Sequence, residues 1–300
     1  MGTGAFRFAA ASAFILALFA NFSSAQQTPP CPDCASWNAP QSPFRIYGNT
    51  WYVGPHGLSA ILITSDQGHI LIDGGLPESA TQIAGHIRSL GFRVEDVKLI
   101  LNSHVHFDHA GGIAELQRLS GARVVASEWS AAVLRKGGVA ADDPQFGTIA
   151  PVQPVTRVET LHDGEVLRVG PLEVTAHLTP GHTPGGTSWS WKSCENDRCL
   201  TIVYADSLSP VSADGYRFSG HPQILQGFDR TYSFLRTASC DILLTTHPDA
   251  SAFWDRQEAR QRNASQNPPA ADSMVDTAAC RQLVDRASAQ LTRRLAEEKK

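Results

Sequence analysis

Between positions 104 and 109 the chain reads His104-Val105-His106-Phe107-Asp108-His109, and Ala110-Gly111-Gly112 follows. Three imidazoles and one carboxylate thus fall within six consecutive residues. Neutral imidazole and carboxylate are the donors zinc takes at catalytic centres, where three protein ligands leave a position open for water. A hydrolytic centre with two metals needs two such donor sets, six groups in all, and this segment supplies four of them. Two more histidines have a comparable setting. His182 stands in Thr179-Pro180-Gly181-His182-Thr183-Pro184-Gly185, a tight loop after a strand-like run, and His247 in Thr246-His247-Pro248, again directly after one. For the other six of the 11 histidines (His56, His69, His86, His162, His177 and His221) the ordinary structural role is favoured. Asp73 closes the apolar run Ile70-Leu71-Ile72 and points at the same face. Its expected task is to hold the metal-motif loop or a histidine N–H from behind.

The elements that must carry these groups are legible from periodicity. Val97–Leu101 is a short buried strand, and Ile113, Leu116 and Leu119 recur at helical spacing until Gly121. His104 and His106, two apart on extended backbone, point to one side. The histidine cluster therefore occupies a strand-to-helix connection, where α/β layers place active sites, and Gly111 and Gly112 are expected to allow a tight turn. Upstream, Phe44–Tyr47, Thr50–Val53, Leu58–Ile63 and His69–Asp73 read as strands, and Ile83, Ile87 and Leu90 as the apolar stripe of a helix ending at Gly91. Arg123–Ala126 is another strand, and 136–154 a long surface loop. The second half repeats the style. Val166–Val169, Leu172–Leu178, Thr187–Trp191, Thr201–Tyr204 and Asp241–Thr245 read as strands, much of 221–239 as helix, and Ala279–Ala296 as an amphipathic closing helix. Both halves run from strands into helices, so the expected fold class is α/β, a four-layer αβ/βα sandwich. Residues 26–300 are expected to form a single domain, because the candidate ligands come from both halves.

Residues 1–25 read as a signal peptide: Arg7, an apolar run Phe8–Ala20 too short to span a bilayer, then Ser23-Ser24-Ala25. The expected location is the periplasm, with no membrane association after cleavage. Six cysteines in an exported chain imply disulfides. Cys194 and Cys199 could clip a hairpin tip, and Cys240 with Cys280 would tie down the closing helix. Cys31 and Cys34 remain as C-x-x-C; no thioredoxin-like strand–helix pattern surrounds them, so a local bridge is preferred to a redox site. With 25 basic against 29 acidic residues the net charge is −4, which argues against a nucleic-acid partner. Nothing in the sequence demands more than a monomer.

The H-x-H-x-D-H core, Ile70–Gly75, Pro180–Gly185 and the late His247 together resemble the metallo-β-lactamase fold superfamily. The likeness runs over nearly all of 26–300. More narrowly, Tyr47–Gly54, Gly185–Trp191, Tyr204-Ala205-Asp206-Ser207-Leu208-Ser209 and Cys240–Leu244 are similar to the third subclass of class B metallo-β-lactamases. The resemblance implies two zinc ions, one on His104, His106 and His182, the other on Asp108, His109 and His247. Ser207 stands where another subclass has a zinc-binding cysteine. The implied reaction is hydrolysis of the β-lactam amide of penicillins, cephalosporins or carbapenems by a metal-bound hydroxide, oriented by Asp108, which confers antibiotic resistance. Ser207 and Ser209 would face the substrate carboxylate, with Trp37, Gln145 and Phe146 flanking the pocket. Relatives lead one to expect an N-terminal cysteine paired to the Gly54–Leu58 turn, where this chain has Pro55 and His56. A lactonase or thioesterase on the same scaffold is the alternative. Those enzymes bridge their metals with an aspartate near Asp206, which is set behind the ligands here because Ser207-Leu208-Ser209 follows it. A non-catalytic zinc-binding protein is a more distant alternative, since such sites are closed by four protein ligands.

Overall fold

Two sheets, each alternating between two apolar environments, organise the chain. The structure is a computed structural model that describes residues 1–4, 31–264 and 271–300. The signal-peptide reading of residues 1–25 lies almost entirely outside the described residues. The first sheet runs in chain order: β1 (Phe44–Tyr47), β2 (Thr50–Tyr52), β3 (Ile61–Ile63), β4 (His69–Ile72), β5 (Val97–Leu101), β6 (Arg123–Ser127) and β7 (Val158–Leu161). Pairing is antiparallel up to β4 and parallel from β4 to β7. The second sheet contains β8 (Val166–Val169), β9 (Leu172–Leu178), β10 (Thr187–Glu195), β11 (Arg198–Ala205) and β12 (Ile242–Thr245), in the order β12-β11-β10-β9-β8. Its last pair, β11 with β12, is parallel.

The strand period of two sorts side chains between layers. Ile70, Ile72, Leu99, Leu101 and Val125 meet Trp189, Ile202, Tyr204, Ile242 and Leu244 in the core between the sheets. The intervening Leu71, Ile100, Val124 and Ala126 face helices α2 (Ser79–Ser89), α4 (Ile113–Ser120) and α5 (Glu128–Lys136) through Ile83, Ile87, Ile113, Leu116, Ala131 and Leu134. On the far side Val203, Ala205 and Leu243 pack on α6 (Pro222–Thr237) and α8 (Ala279–Glu297) through Phe228, Leu235, Leu283, Val284 and Leu291. The layers are therefore helix, sheet, sheet, helix, as expected. Each buried Leu or Ile contributes roughly 1.5–3 kcal/mol, so both sheets are held on both faces. Two short helical pieces, α1 (Cys34–Trp37) and α3 (Phe107–Ala110), and α7 (Phe253–Ala264) complete the chain.

Several elements were not expected. The β10–β11 hairpin extends to Glu195 and Arg198, with Cys194 opposite Cys199 in register. β7 has two exposed residues at its centre and is held as a parallel neighbour of β6. Helix α5 begins where the Ser127 side chain accepts from the Ser130 amide, a capping signal immediately after a strand. Disulfides join Cys31 to Cys34, Cys194 to Cys199 and Cys240 to Cys280. No helix among the described residues is long and apolar enough to cross a membrane.

Candidate metal centre

At the carboxyl end of β4 the backbone turns through Asp73, a non-glycine residue at φ 62°. Its carboxylate accepts from the Ser103 amide at 2.8 Å, the Ser103 hydroxyl at 2.6 Å and the Tyr204 hydroxyl at 2.7 Å. Asp73 thereby ties the ends of β4 and β11 to the Asn102–Ser103 turn that leads out of β5. Burial pushes its carboxyl up. His104 and His106 follow, His106 on extended backbone, and the single turn of α3 then carries Asp108 and His109. Gly111 and Gly112 are needed for a reason other than the one the sequence suggested. Their φ values, −58° and −85°, suit any residue, but a Cβ on either would run into the carbonyl of Phe107 or of Gly74.

Five histidines and Asp108 converge here. Asp108 Oδ2 lies 3.1 Å from His109 Nε2 and 3.2 Å from His247 Nε2, and the two imidazole nitrogens are 3.2 Å apart. Beside this triangle, His106 Nδ1 and His182 Nε2 are 3.2 Å apart, and one ring nitrogen of His104 completes a set whose atoms all lie within 4.8 Å of one another. His104 comes equally within 4.8 Å of donors on Asp108 and His109, so the two sets adjoin; His247 makes the tighter triangle with that pair.

For three of the five histidines the ring nitrogen turned away from the cluster is held from behind, whereas His109 Nδ1 is buried with no hydrogen-bond partner. His104 Nδ1 donates to Asp206 Oδ1 at 2.6 Å, both side chains fully buried. His182 Nδ1 donates to the Ser209 carbonyl at 2.8 Å. His106 uses the opposite atom: its Nε2 donates to Asp143 at 3.0 Å. These bonds fix the tautomers and leave lone pairs on His104 Nε2, His106 Nδ1 and His182 Nε2.

A cation fits these residues. Three donors at 2.0–2.1 Å from a tetrahedral zinc stand about 3.3 Å from one another, close to the 3.1–3.2 Å found within the Asp108–His109–His247 triangle and between His106 and His182. His104 Nε2 is buried and has no hydrogen-bond partner, a costly state that a cation relieves. Protonation equilibria favour the ligand forms of His104, His182 and Asp108, whereas burial lowers His109 but the Asp108 carboxylate outweighs it and raises that imidazole. Burial, with His109 and His106 nearby, holds His104 well below its ordinary value, and burial with His106 brings His182 down to about 3. Burial pushes Asp108 up, but His109 and His247 outweigh it and keep the carboxyl well below its usual range. Burial drives Asp206 well above its ordinary value and His104 well below its own, so burial disfavours charge on both members of the pair. A positive ion at Nε2 would favour the Asp206 carboxylate.

A cavity of about 330 Å³ opens beside His247, lined by Ser207, Ser209, Thr246 and Arg286 among others. The Ser207 and Ser209 hydroxyls lie 3.2 Å apart. The Trp37 ring packs 5.2 Å from the His247 ring, Gln145 Nε2 reaches within 3.4 Å of His106 Nδ1, and Phe146 is 52% exposed. Sequence reasoning missed Asp143. It lies in the loop after α5, and its one local signal was a pair of carboxylates before Pro144; no periodicity tied it to the histidines.

A sequence profile of the Metallo-beta-lactamase superfamily matches residues 53–192. Among solved structures the chain is similar to MEM-A1, a subclass B3 metallo-beta-lactamase isolated from a soil metagenome library. The identity is 52%, over 88% of this chain and 98% of that one, with a TM-score of 0.83. It is 31% identical over 209 residues to hydroxyacylglutathione hydrolase of Rhodopseudomonas palustris, spanning 63% of this chain and 68% of that protein. With an N-acyl homoserine lactonase of Bacillus cereus the identity is 32% over 74 residues, 17% of this chain and only 30% of the lactonase. With the matched profile, the layered sheets and the histidine cluster all in agreement, this chain belongs to the metallo-β-lactamase superfamily and falls with its subclass B3 members.

Proposed function

We propose that this protein hydrolyses the amide bond of β-lactam antibiotics in a zinc-dependent reaction, and so confers resistance to them. The observation that carries this reading is the convergence, from separate stretches of chain, of two adjoining donor sets at zinc-like spacing. His104, His106 and His182 would hold one zinc, and Asp108, His109 and His247 a second. When bound, zinc supplies an acidified water that attacks at neutral pH and a Lewis acid for the lactam carbonyl oxygen.

The protein's own groups do the rest. Asp206 Oδ1 keeps the proton of His104 on Nδ1, and the Ser209 carbonyl does the same for His182. Asp108 stays ionised beside His109 and His247, which suits both ligation and orientation of the attacking water. Ser207 and Ser209 offer paired hydroxyls to the substrate carboxylate at the cavity next to His247. Trp37 and Phe146 supply apolar walls, and Gln145 a donor at the rim. We read residues 26–300 as a single domain acting as a periplasmic monomer, free of membrane and nucleic acid once residues 1–25 are removed; the three disulfides accord with export.

The lactonase and thioesterase readings need Asp206 between the metals. Asp206 Oδ1 instead bonds the ring nitrogen of His104 that faces away from the other donors, which favours the lactamase. The test is hydrolysis of a chromogenic cephalosporin by the purified protein, beside a homoserine lactone and a glutathione thioester, before and after chelation. The β-lactam should be turned over fastest, and activity should vanish with zinc and return on its addition. Turnover that survives complete zinc removal, or a lactone or thioester as the better substrate, would overturn the proposal.

A further inference from the structure

Asp143 belongs to no strand or helix, yet it is only 3% exposed. A carboxylate buried in a loop is costly unless it is paired. Its partner is His106: Oδ2 lies 3.0 Å and Oδ1 3.2 Å from His106 Nε2. Oδ1 also accepts from the Gln145 amide at 2.8 Å, and the Phe146 amide donates to the Asp143 carbonyl at 3.0 Å. One side chain therefore grips both a histidine of the cluster and the turn that carries Gln145 and Phe146. The grip has a chemical consequence. With the His106 proton on Nε2, the lone pair sits on Nδ1, the atom 3.2 Å from His182 Nε2. His104 and His182 are held the other way round, through Nδ1.

We propose that Asp143 is a positioning residue that selects Nδ1 of His106 as the metal-facing atom and, through the same carboxylate, latches the 141–147 loop over the site. Metal occupancy and loop position are then coupled, and the coupling is reciprocal: zinc steadies the loop, and a freed loop weakens zinc. The inference rests on reading His106 as a metal ligand.

The test measures zinc affinity by competition with a chromophoric chelator, and hydrogen exchange of residues 141–147 with and without zinc. In the parent protein zinc should slow exchange in that loop. Asp143→Ala should bind zinc about 10- to 100-fold more weakly and lose the zinc-dependent slowing. Asp143→Asn, whose Oδ1 can still accept from Nε2–H, should lose about tenfold or less. Asp142→Asn removes the same charge one residue away, where the side chain accepts from Trp129 Nε1 at 3.0 Å, and should keep parent affinity. If Asp143→Ala fails to fold, weaker zinc binding by Asp143→Asn than by Asp142→Asn carries the test. Parent affinity and retained zinc-dependent protection in the Asp143 variants would overturn the positioning role. If His106→Ala weakens zinc while Asp143→Ala does not, only the Asp143 role falls. Unchanged zinc binding in His106→Ala would overturn the metal-site reading itself.

Discussion

Replacing Asp73 by alanine is expected to cost about 5 kcal/mol of folding stability, although Asp73 touches none of the proposed metal ligands. The carboxylate accepts three short hydrogen bonds, from the Ser103 amide, the Ser103 hydroxyl and the Tyr204 hydroxyl, at 2.8, 2.6 and 2.7 Å. Stranding the buried amide costs roughly 1–3 kcal/mol. Losing each hydroxyl bond costs roughly 1 kcal/mol, since a hydroxyl can rotate to another acceptor. Tyr204 has one available in the Ser59 carbonyl, 3.4 Å away. The backbone at φ 62° adds about 1 kcal/mol for an alanine, which lacks the local polar contacts that ease an aspartate or asparagine into the left-handed region. Asp73→Asn keeps an acceptor for the amide and the tolerance of that backbone, so it should lose only about 2 kcal/mol. Equilibrium urea unfolding reads both as shifts of midpoint at constant slope. Turnover at saturating zinc should fall with Asp73→Ala as well, because Ser103 is the residue before His104. A loss below about 1 kcal/mol, or equal losses for alanine and asparagine, would show that the three bonds do not anchor the loop.

Three further outcomes follow from other parts of the molecule. Removing the Cys240–Cys280 bridge, which spans 40 residues, should cost about 4 kcal/mol by loop-closure entropy, against under about 2 for the three-residue Cys31–Cys34 bridge; equal losses in urea unfolding would contradict this. A Cβ on Gly186 would collide with Asp206 Oδ2 and the Thr179 carbonyl, so Gly186→Ala should displace Asp206 from His104 and lower both zinc affinity and melting temperature; a variant with parent values for both would refute the crowding. Burial pushes Glu298 up, but the Ser219 and Phe218 amides and Arg294 outweigh it and bring the carboxyl from 4.5 down to about 2. A depressed carboxyl pKa stabilises the fold above 4.5, and that contribution is lost as pH falls from 4.5 through about 2. Discounted for solvent screening it is worth about 1 kcal/mol, and Glu298→Gln should remove it from the acid limb of a stability–pH curve; an unchanged limb would refute the assignment.

The apolar runs of β4, β5 and β11 were legible because a strand buried on both faces must be apolar nearly throughout, and the sandwich followed from the repetition of such runs in both halves. Elements without such a pattern were not. β7, with two exposed central residues, is a strand because β6 lies beside it, and α7, rich in charge, shows no clear apolar stripe. The Cys194–Cys199 pairing could be read from adjacency alone, whereas the length of its hairpin could not.

For the site the division is sharper. Local spacing determined that His104, His106, Asp108 and His109 share one connection, since backbone geometry fixes where residues two to five apart can point. Tertiary structure decided which nitrogen each imidazole presents. That choice depends on what holds the other ring nitrogen: Asp206 for His104, 102 residues away; Asp143 for His106, 37 away; and the Ser209 carbonyl for His182, 27 away. Such partners are brought together by the packing of two sheets and a loop, and contacts made only by packing leave no period in the chain. The sequence by itself therefore named the candidate donors, and the fold chose the atoms they present.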